Sequence, residues 1–292
     1  MSKHFRKTSY NWIVAIGIVI IFTAAVWILF QNGGMIETSA DHDTTVPFWH
    51  NWIISGGLIL LIMVLPKRST INNPFKKLNR TSLKNQSLLL ILFAIIFTVL
   101  LLLIPKDSVF TYFPLIKLML ILIAPIVMFF YIKQSNLSED IQKYSYLRNN
   151  TWLMPTVVTS AWITFYFFTP LGVASSTEYN MGFFALLLAA LFSFLINSVL
   201  EELFYRVWLQ TRLEALIGTW PAIIISSLLW AVWHMAIMGG DSYDIALSTV
   251  IVNHGVQGLF LGFLWAKYRN IWILIIIHGL INWPTQLITG FF

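Results

Sequence analysis

Residues 182–206 read GFFALLLAALFSFLINSVLEELFYR, and how this stretch is read decides the fold class. From Gly182 to Leu200 it holds no ionisable side chain, and that length approaches the ~20 apolar residues a helix needs to cross a bilayer. Two adjacent acids, Glu201 and Glu202, follow at once, and Arg206 stands four residues further on. Apolar runs of similar length recur at 12–30, 47–66, 87–104, 115–132, 152–168, 182–204, 217–238, 245–265 and 271–288. Nine such runs with only short polar connections predict an all-α, polytopic transmembrane bundle of eight or nine helices. Residues 1–180 form its N-terminal transmembrane helices with short loops. Residues 181–292 hold the last four runs and the ionisable residues within them, which are expected to border a cavity among the C-terminal helices.

Composition agrees with this reading. The chain has 292 residues, 58% of them hydrophobic and 10% charged, whereas a soluble domain carries about 25% charged residues. Folded in water, it would lack the polar surface to cover itself. With bilayer as solvent that requirement disappears. The absence of cysteine excludes a disulfide framework, a thiolate nucleophile and any Cys-bearing metal site. The apolar run 12–30 follows Lys3, Arg6 and Lys7 and is longer than the ~7–15 residues of a signal-peptide core, so an uncleaved first helix is expected.

The net charge of +6 does not point to nucleic acid, because the distribution of the charges already accounts for it. With the N-terminus in the cytoplasm, alternation over nine spans places all 18 Lys and Arg inside except Lys106 and Lys117. Glu37, Asp41, Asp43, Asp107, Glu178, Asp241 and Asp244 fall outside. This is the positive-inside pattern, and it predicts N-in, C-out. Segment 67–86 has six basic residues and no acid; attraction to anionic lipid accounts for it, and docking of an acidic partner is the alternative. No organelle signal is visible, so the expected location is a plasma membrane, bacterial in source.

Ionisable groups at bilayer depth cost ~2.5–3.5 kcal/mol each on the insertion scale and call for a reason. His50 and Lys117 lie near the ends of their runs, where snorkelling suffices. The last four runs hold Glu201, Glu202, Arg206, His234, His254, His278 and Asn282. Glu202 and Arg206 are spaced to pair along one helix face, which turns Glu201 elsewhere. Trp230 and His234 also share a face, as do His278 and Asn282. A carboxylate base, a histidine that shares its proton and a His/Asn pair of hydrogen-bond donors suit acyl transfer. In that scheme Glu201 and His234 activate water, and His278 with Asn282 stabilises the oxyanion. Read residue by residue, each group also has a structural explanation, because His and Asn commonly pack between membrane helices. For His254 packing is the favoured role.

Glu-Glu-x-x-x-Arg at 201–206, aromatic-x-x-x-His at 230–234 and His-x-x-x-Asn at 278–282 together resemble the motifs of the CPBP family. That family comprises CAAX-type prenyl endopeptidases and the bacteriocin-processing or immunity membrane proteins also called Abi proteins. Gly258 to Gly262, leading through Tyr268 to His278, is similar to the family's approach to its last motif. The resemblance covers about residues 185–285. It implies an intramembrane peptidase without a cofactor, acting on a membrane-embedded or lipidated peptide or protein. Glu201, His234, His278 and Asn282 fall at the family's catalytic positions, and Glu202, Arg206 and Trp230 at its supporting ones. Trp230 stands where the family usually has Phe. A non-catalytic peptide-binding or immunity protein is the alternative, zinc held by Glu201, His234 and His278 is another, and a transporter a third. The spans as drawn put Glu201 near the inner end of its helix and His234 near the outer end of the next. Joint chemistry therefore requires the Glu201 helix to continue to about Leu216, with Arg206 and Arg212 snorkelling inward.

Overall fold

The computed structural model describes residues 10–38, 45–66, 75, 79–132, 152–172, 179–238 and 242–289. Of the basic segment, 67–74 and 76–78 lie outside the described residues, and the acidic-partner expectation with them. The described chain folds as nine principal helices. Six are long and apolar enough to cross a membrane: α1 (Asn11–Asn32), α3 (Arg80–Leu103), α4 (Lys106–Tyr131), α6 (Phe183–Ile217), α7 (Thr219–Ala236) and α8 (Tyr243–Tyr268). Three are shorter: α2 (Trp49–Val64), α5 (Leu153–Phe168) and α9 (Ile271–Ile281). A closing turn, α10, spans Gln286–Thr289. Helices dominate because hydrocarbon offers no partner for a backbone N–H or C=O, so each segment has to satisfy its own. The chain is a multi-pass, all-α membrane protein, as its apolar runs predict. A small antiparallel hairpin is added, β1 (Met35–Glu37) on β2 (Thr45–Pro47), with Met35 opposite Pro47.

The long sixth helix removes the depth problem. It runs unbroken through Glu201 to Ile217, for 35 residues, and reverses at Gly218, whose φ of 95° is in the left-handed region that suits glycine. At 1.5 Å rise per residue, Glu201 lies ~24 Å before the end of α6 and His234 ~22 Å after the start of α7. The hairpin of helices therefore brings the two side chains level. Arg206 and Arg212 do not snorkel, contrary to expectation. Arg206 is 0% exposed and paired with Glu202. Arg212 is buried, donates to Gln86 Oε1 and the Trp208 carbonyl at 2.9 Å, and stacks 4.3 Å from the Phe129 ring.

Small residues set the helix approach in the C-terminal half, as is usual where van der Waals packing replaces the hydrophobic effect. A Cβ added at Gly258 of α8 would stand 2.9 Å from Ser227 Cβ of α7, and one at Gly279 of α9 would stand 2.6 Å from the Phe194 ring of α6. The N-terminal helices are tied to this half by polar contacts. Trp27 donates to Asp244 at 2.9 Å, Asn51 to the Asn253 side chain at 2.9 Å, and Trp52 to the Val252 carbonyl at 2.8 Å. The Lys267 ammonium caps the C-terminal end of α2, donating to the carbonyls of Ile62 and of Leu65 just beyond it.

Candidate active site

Five helices, α4 and α6 to α9, bring polar groups together, and three of them depart from regular α geometry with π-helical stretches there. α4 has a π-helical stretch at Leu118–Ile123, directly after Lys117. α6 has two, Phe194–Val199 and Glu202–Gln210, on either side of Glu201. α8 has one at Ile251–Gly255, around His254. A π turn accommodates an extra residue and so redirects the side chains that follow, which is why such turns gather at functional positions.

Glu201 is 1% exposed and is held from two directions. Its Oε1 pairs with the Lys117 ammonium of α4, and its Oε2 accepts from Trp230 Nε1 of α7. Lys117, also 0% exposed, donates to Asn197 Oδ1 at 2.8 Å. Its ammonium lies 4.6 Å from the Phe113 ring centroid and 4.5 Å from that of Trp233, positions where the ring quadrupole attracts a cation. The expectation that Lys117 snorkels near a span end is therefore wrong: α4 begins at Lys106, not near 115, and Lys117 sits well inside it. Each carboxylate oxygen has two lone-pair directions, so both Glu201 oxygens keep an accepting position beyond these bonds.

Glu202, on the next face, forms a second cluster. Its Oε1 is 2.9 Å from His278 Nδ1 of α9, and its Oε2 is 3.4 Å from Arg206 Nε. The Arg206 guanidinium lies 5.4 Å from the Trp230 ring centroid. Trp230 thus separates the two acids, bonding Glu201 through its indole N–H and facing the cation that neutralises Glu202. Its ring also meets the His234 and His278 rings edge-on at 5.2 and 5.4 Å. The large aromatic expected at this position does the packing.

The tautomer of His234 follows from its partner. Its Nδ1 is 2.9 Å from the Trp230 carbonyl oxygen, which only accepts, so Nδ1 carries the proton and Nε2 keeps a lone pair. The ring is clamped between Trp233, at 3.8 Å, and His254, at 4.0 Å, both stacked. His254 stacks on His234 and also lines the cavity. Asn282 follows the last turn of α9 and donates to Ser198 Oγ at 3.4 Å.

Glu201, Trp230, His234, His278 and Asn282, drawn from three segments of the sequence, all line one cavity of about 340 Å³. Its wall includes Asn51, Phe113, Trp162 and Tyr166 from the first 180 residues, so both halves of the chain build it. Among the described residues no group of three or more His, Cys, Asp or Glu side chains is arranged to hold a metal ion. The Glu201–His234–His278 zinc arrangement considered above gains no support from this geometry.

Fold and cavity define a class: a polytopic membrane protein with carboxylate and imidazole groups gathered at bilayer depth. Comparison with known families narrows it. Residues 183–284 match the family described as type II CAAX prenyl endopeptidase, Rce1-like, and the resemblance of the three motifs to the CPBP family is borne out over that segment. The matched segment runs from the start of α6 to the cavity-lining residues after α9. Neither curated proteins nor solved structures give a match. Lys117 lies outside the matched segment.

Proposed function

We propose that the protein is an intramembrane peptidase that hydrolyses a peptide bond in a membrane-associated or lipidated peptide or protein. What supports this most is that Glu201, His234, His278 and Asn282, far apart in sequence, line one cavity. On this reading the last four helices carry the chemistry and the first five supply access and the Lys117 ammonium. No cofactor is required, and the setting is a plasma membrane, bacterial in source, with the N-terminus cytoplasmic.

In the reaction, a water held between Glu201 and the free Nε2 of His234 attacks the scissile carbonyl carbon. The new C–O bond forms as the water gives up a proton to this pair, and the carbonyl π electrons move onto the oxygen. Asn282 Nδ2 and His278 donate to that oxyanion. To donate from Nε2 while Nδ1 donates to Glu202, the His278 ring has to carry both protons, and Glu202 is placed to hold it so. Collapse of the intermediate breaks the C–N bond, and the leaving amine takes the proton that the pair removed. Glu202, Arg206 and Trp230 hold the geometry.

One observation favours a second reading. The Lys117 ammonium on Glu201 Oε1 neutralises the proposed base, which suits a non-catalytic peptide-binding or immunity protein. The two readings separate in proteoliposomes presented with apolar and lipidated peptides. The peptidase reading expects cleavage by the wild type and its loss in Glu201→Gln and His234→Ala. Peptide binding with no cleavage by the wild type, and equal binding by Glu201→Gln, would favour the second reading.

A further inference from the structure

The cavity opens toward one end of the bundle. The lining extends from mid-helix, at Glu201 of α6 and Asn253 to Gln257 of α8, toward one half only: Asn51 at the start of α2, Phe110 at the start of α4, Tyr166 near the end of α5, Ser193 in the first third of α6, Ile237 just after α7 and Trp283 just after α9. Alternation puts all of these on the side reached by the β hairpin, whose adjoining Thr38 also lines the cavity. The opposite half is closed. Below Glu202, Arg206 donates to Ser226 Oγ at 3.4 Å, Ser226 to Gln210 Oε1 at 3.3 Å, and Gln210 to Glu214 Oε1 at 2.9 Å. Glu214 pairs with Arg269, and Trp265 donates to Thr211 at 3.0 Å. All these side chains are buried and fill the space between α6, α7 and α8.

The closed half is also the basic half. Arg80, Lys84, Arg212, Lys267 and Arg269 lie there with one acid, Glu214, whereas the hairpin side has Glu37, Asp107 and Asp244 with one base, Lys106. Basic residues mark the cytoplasmic side. We infer that the site is reached from the extracytoplasmic face. Its substrate, if the peptidase reading above holds, is then an uncharged, apolar peptide segment delivered from that face or the outer leaflet. Phe110, Phe113, Trp162 and Trp283 on the wall match its apolar side chains, and Asn51, Asn253 and Gln257 beside them suit its backbone amides. A lipid-anchored protein on the cytoplasmic leaflet lies on the wrong side of the Arg206–Arg269 plug.

Access can be measured without activity, because the chain has no cysteine and single cysteines report alone. Thr38→Cys stands at the mouth, Ser193→Cys within the cavity and Lys84→Cys at the exposed basic end. The probe is a membrane-impermeant trimethylammonium methanethiosulfonate, applied to intact and to permeabilised cells, with labelling of the unfolded chain as the measure of total thiol. Thr38→Cys and Ser193→Cys are expected to react in intact cells, and Lys84→Cys only after permeabilisation. The opposite pattern, or a Ser193→Cys that stays unreactive in intact cells, would overturn the inference. Labelling as expected in a chain that cleaves nothing would end the peptidase reading and leave the access claim intact. Cleavage with inverted labelling would do the reverse.

Discussion

The two halves of the C-terminal helices contain similar residue types and put them to opposite uses. On one side Glu201, His234, His278 and Asn282 border a cavity. On the other, Arg206, Ser226, Gln210, Glu214 and Arg269 bond to one another and leave no room. Glu201 and Glu202, adjacent in sequence, mark the divide. Glu202 joins the packed side through Arg206 but reaches His278 on the open side. Buried charge by itself therefore does not identify a site. What distinguishes the open half is that its polar side chains face a cavity.

This contrast can be broken in graded ways. The largest effect is expected on the open side: Glu201→Gln or His234→Ala lowers cleavage by about 10²–10⁴-fold, the usual contribution of a general base, measured as turnover at saturating peptide. Asn282→Ala removes one oxyanion donor and lowers turnover by about 10²–10³-fold with little change in peptide affinity. Lys117→Met leaves Glu201 buried and unpaired, which costs about 3–5 kcal/mol. Thermal unfolding in detergent reads this loss, and adding Glu201→Gln should restore much of it. On the closed side, Glu214→Gln strips Arg269 of its counter-charge and should lower stability by a similar or smaller amount while cleavage persists. If Glu214→Gln abolished turnover without unfolding the protein, the division between the halves would fail. Gly258→Ala, forced against Ser227, costs about 1–3 kcal/mol of overpacking. Trp27→Phe, which loses only an exposed hydrogen bond to Asp244, costs about 1 kcal/mol or less.

Much of this was legible in the sequence, and what was hidden has physical reasons. The nine apolar runs correspond to the nine principal helices, because an apolar segment in hydrocarbon has to satisfy its own backbone and a helix does so; α2, α5 and α9 are nevertheless shorter than a full span. The pairing of Glu202 with Arg206 and the shared faces of Trp230 with His234 and of His278 with Asn282 were legible because i, i+4 spacing is a local property of a helix; of these, Trp230, His234, His278 and Asn282 border the cavity with Glu201. Lys117 was missed. Pro114 lies inside α4, and drawing that span from about 115 turned a mid-helix lysine into an end residue. Its partner is 84 positions away, and no local spacing connects α4 to α6. The one available signal was a lysine surrounded by apolar residues on both sides, from Phe110 to Phe130. Arg206 was placed among the topology-setting cations because its depth depends on where α6 ends, and only Gly218 marks that point. The hairpin beside α1 is too short for a strand pattern to register.

The ion pair between Lys117 and Glu201 also constrains how the protein is made. Lys117 leaves the ribosome 84 residues before the carboxylate that neutralises it. At synthesis rates of about 5–20 residues per second that interval is about 4–17 s. Throughout it, the fourth helix carries a cation that would cost about 2.5–3.5 kcal/mol to hold unpaired in lipid. That helix is therefore expected to stay beside the insertion machinery, or in the shelter of a membrane chaperone, until the sixth helix emerges. Nascent chains halted before residue 201 should crosslink to that machinery through α4, and a Lys117→Leu chain should leave it sooner.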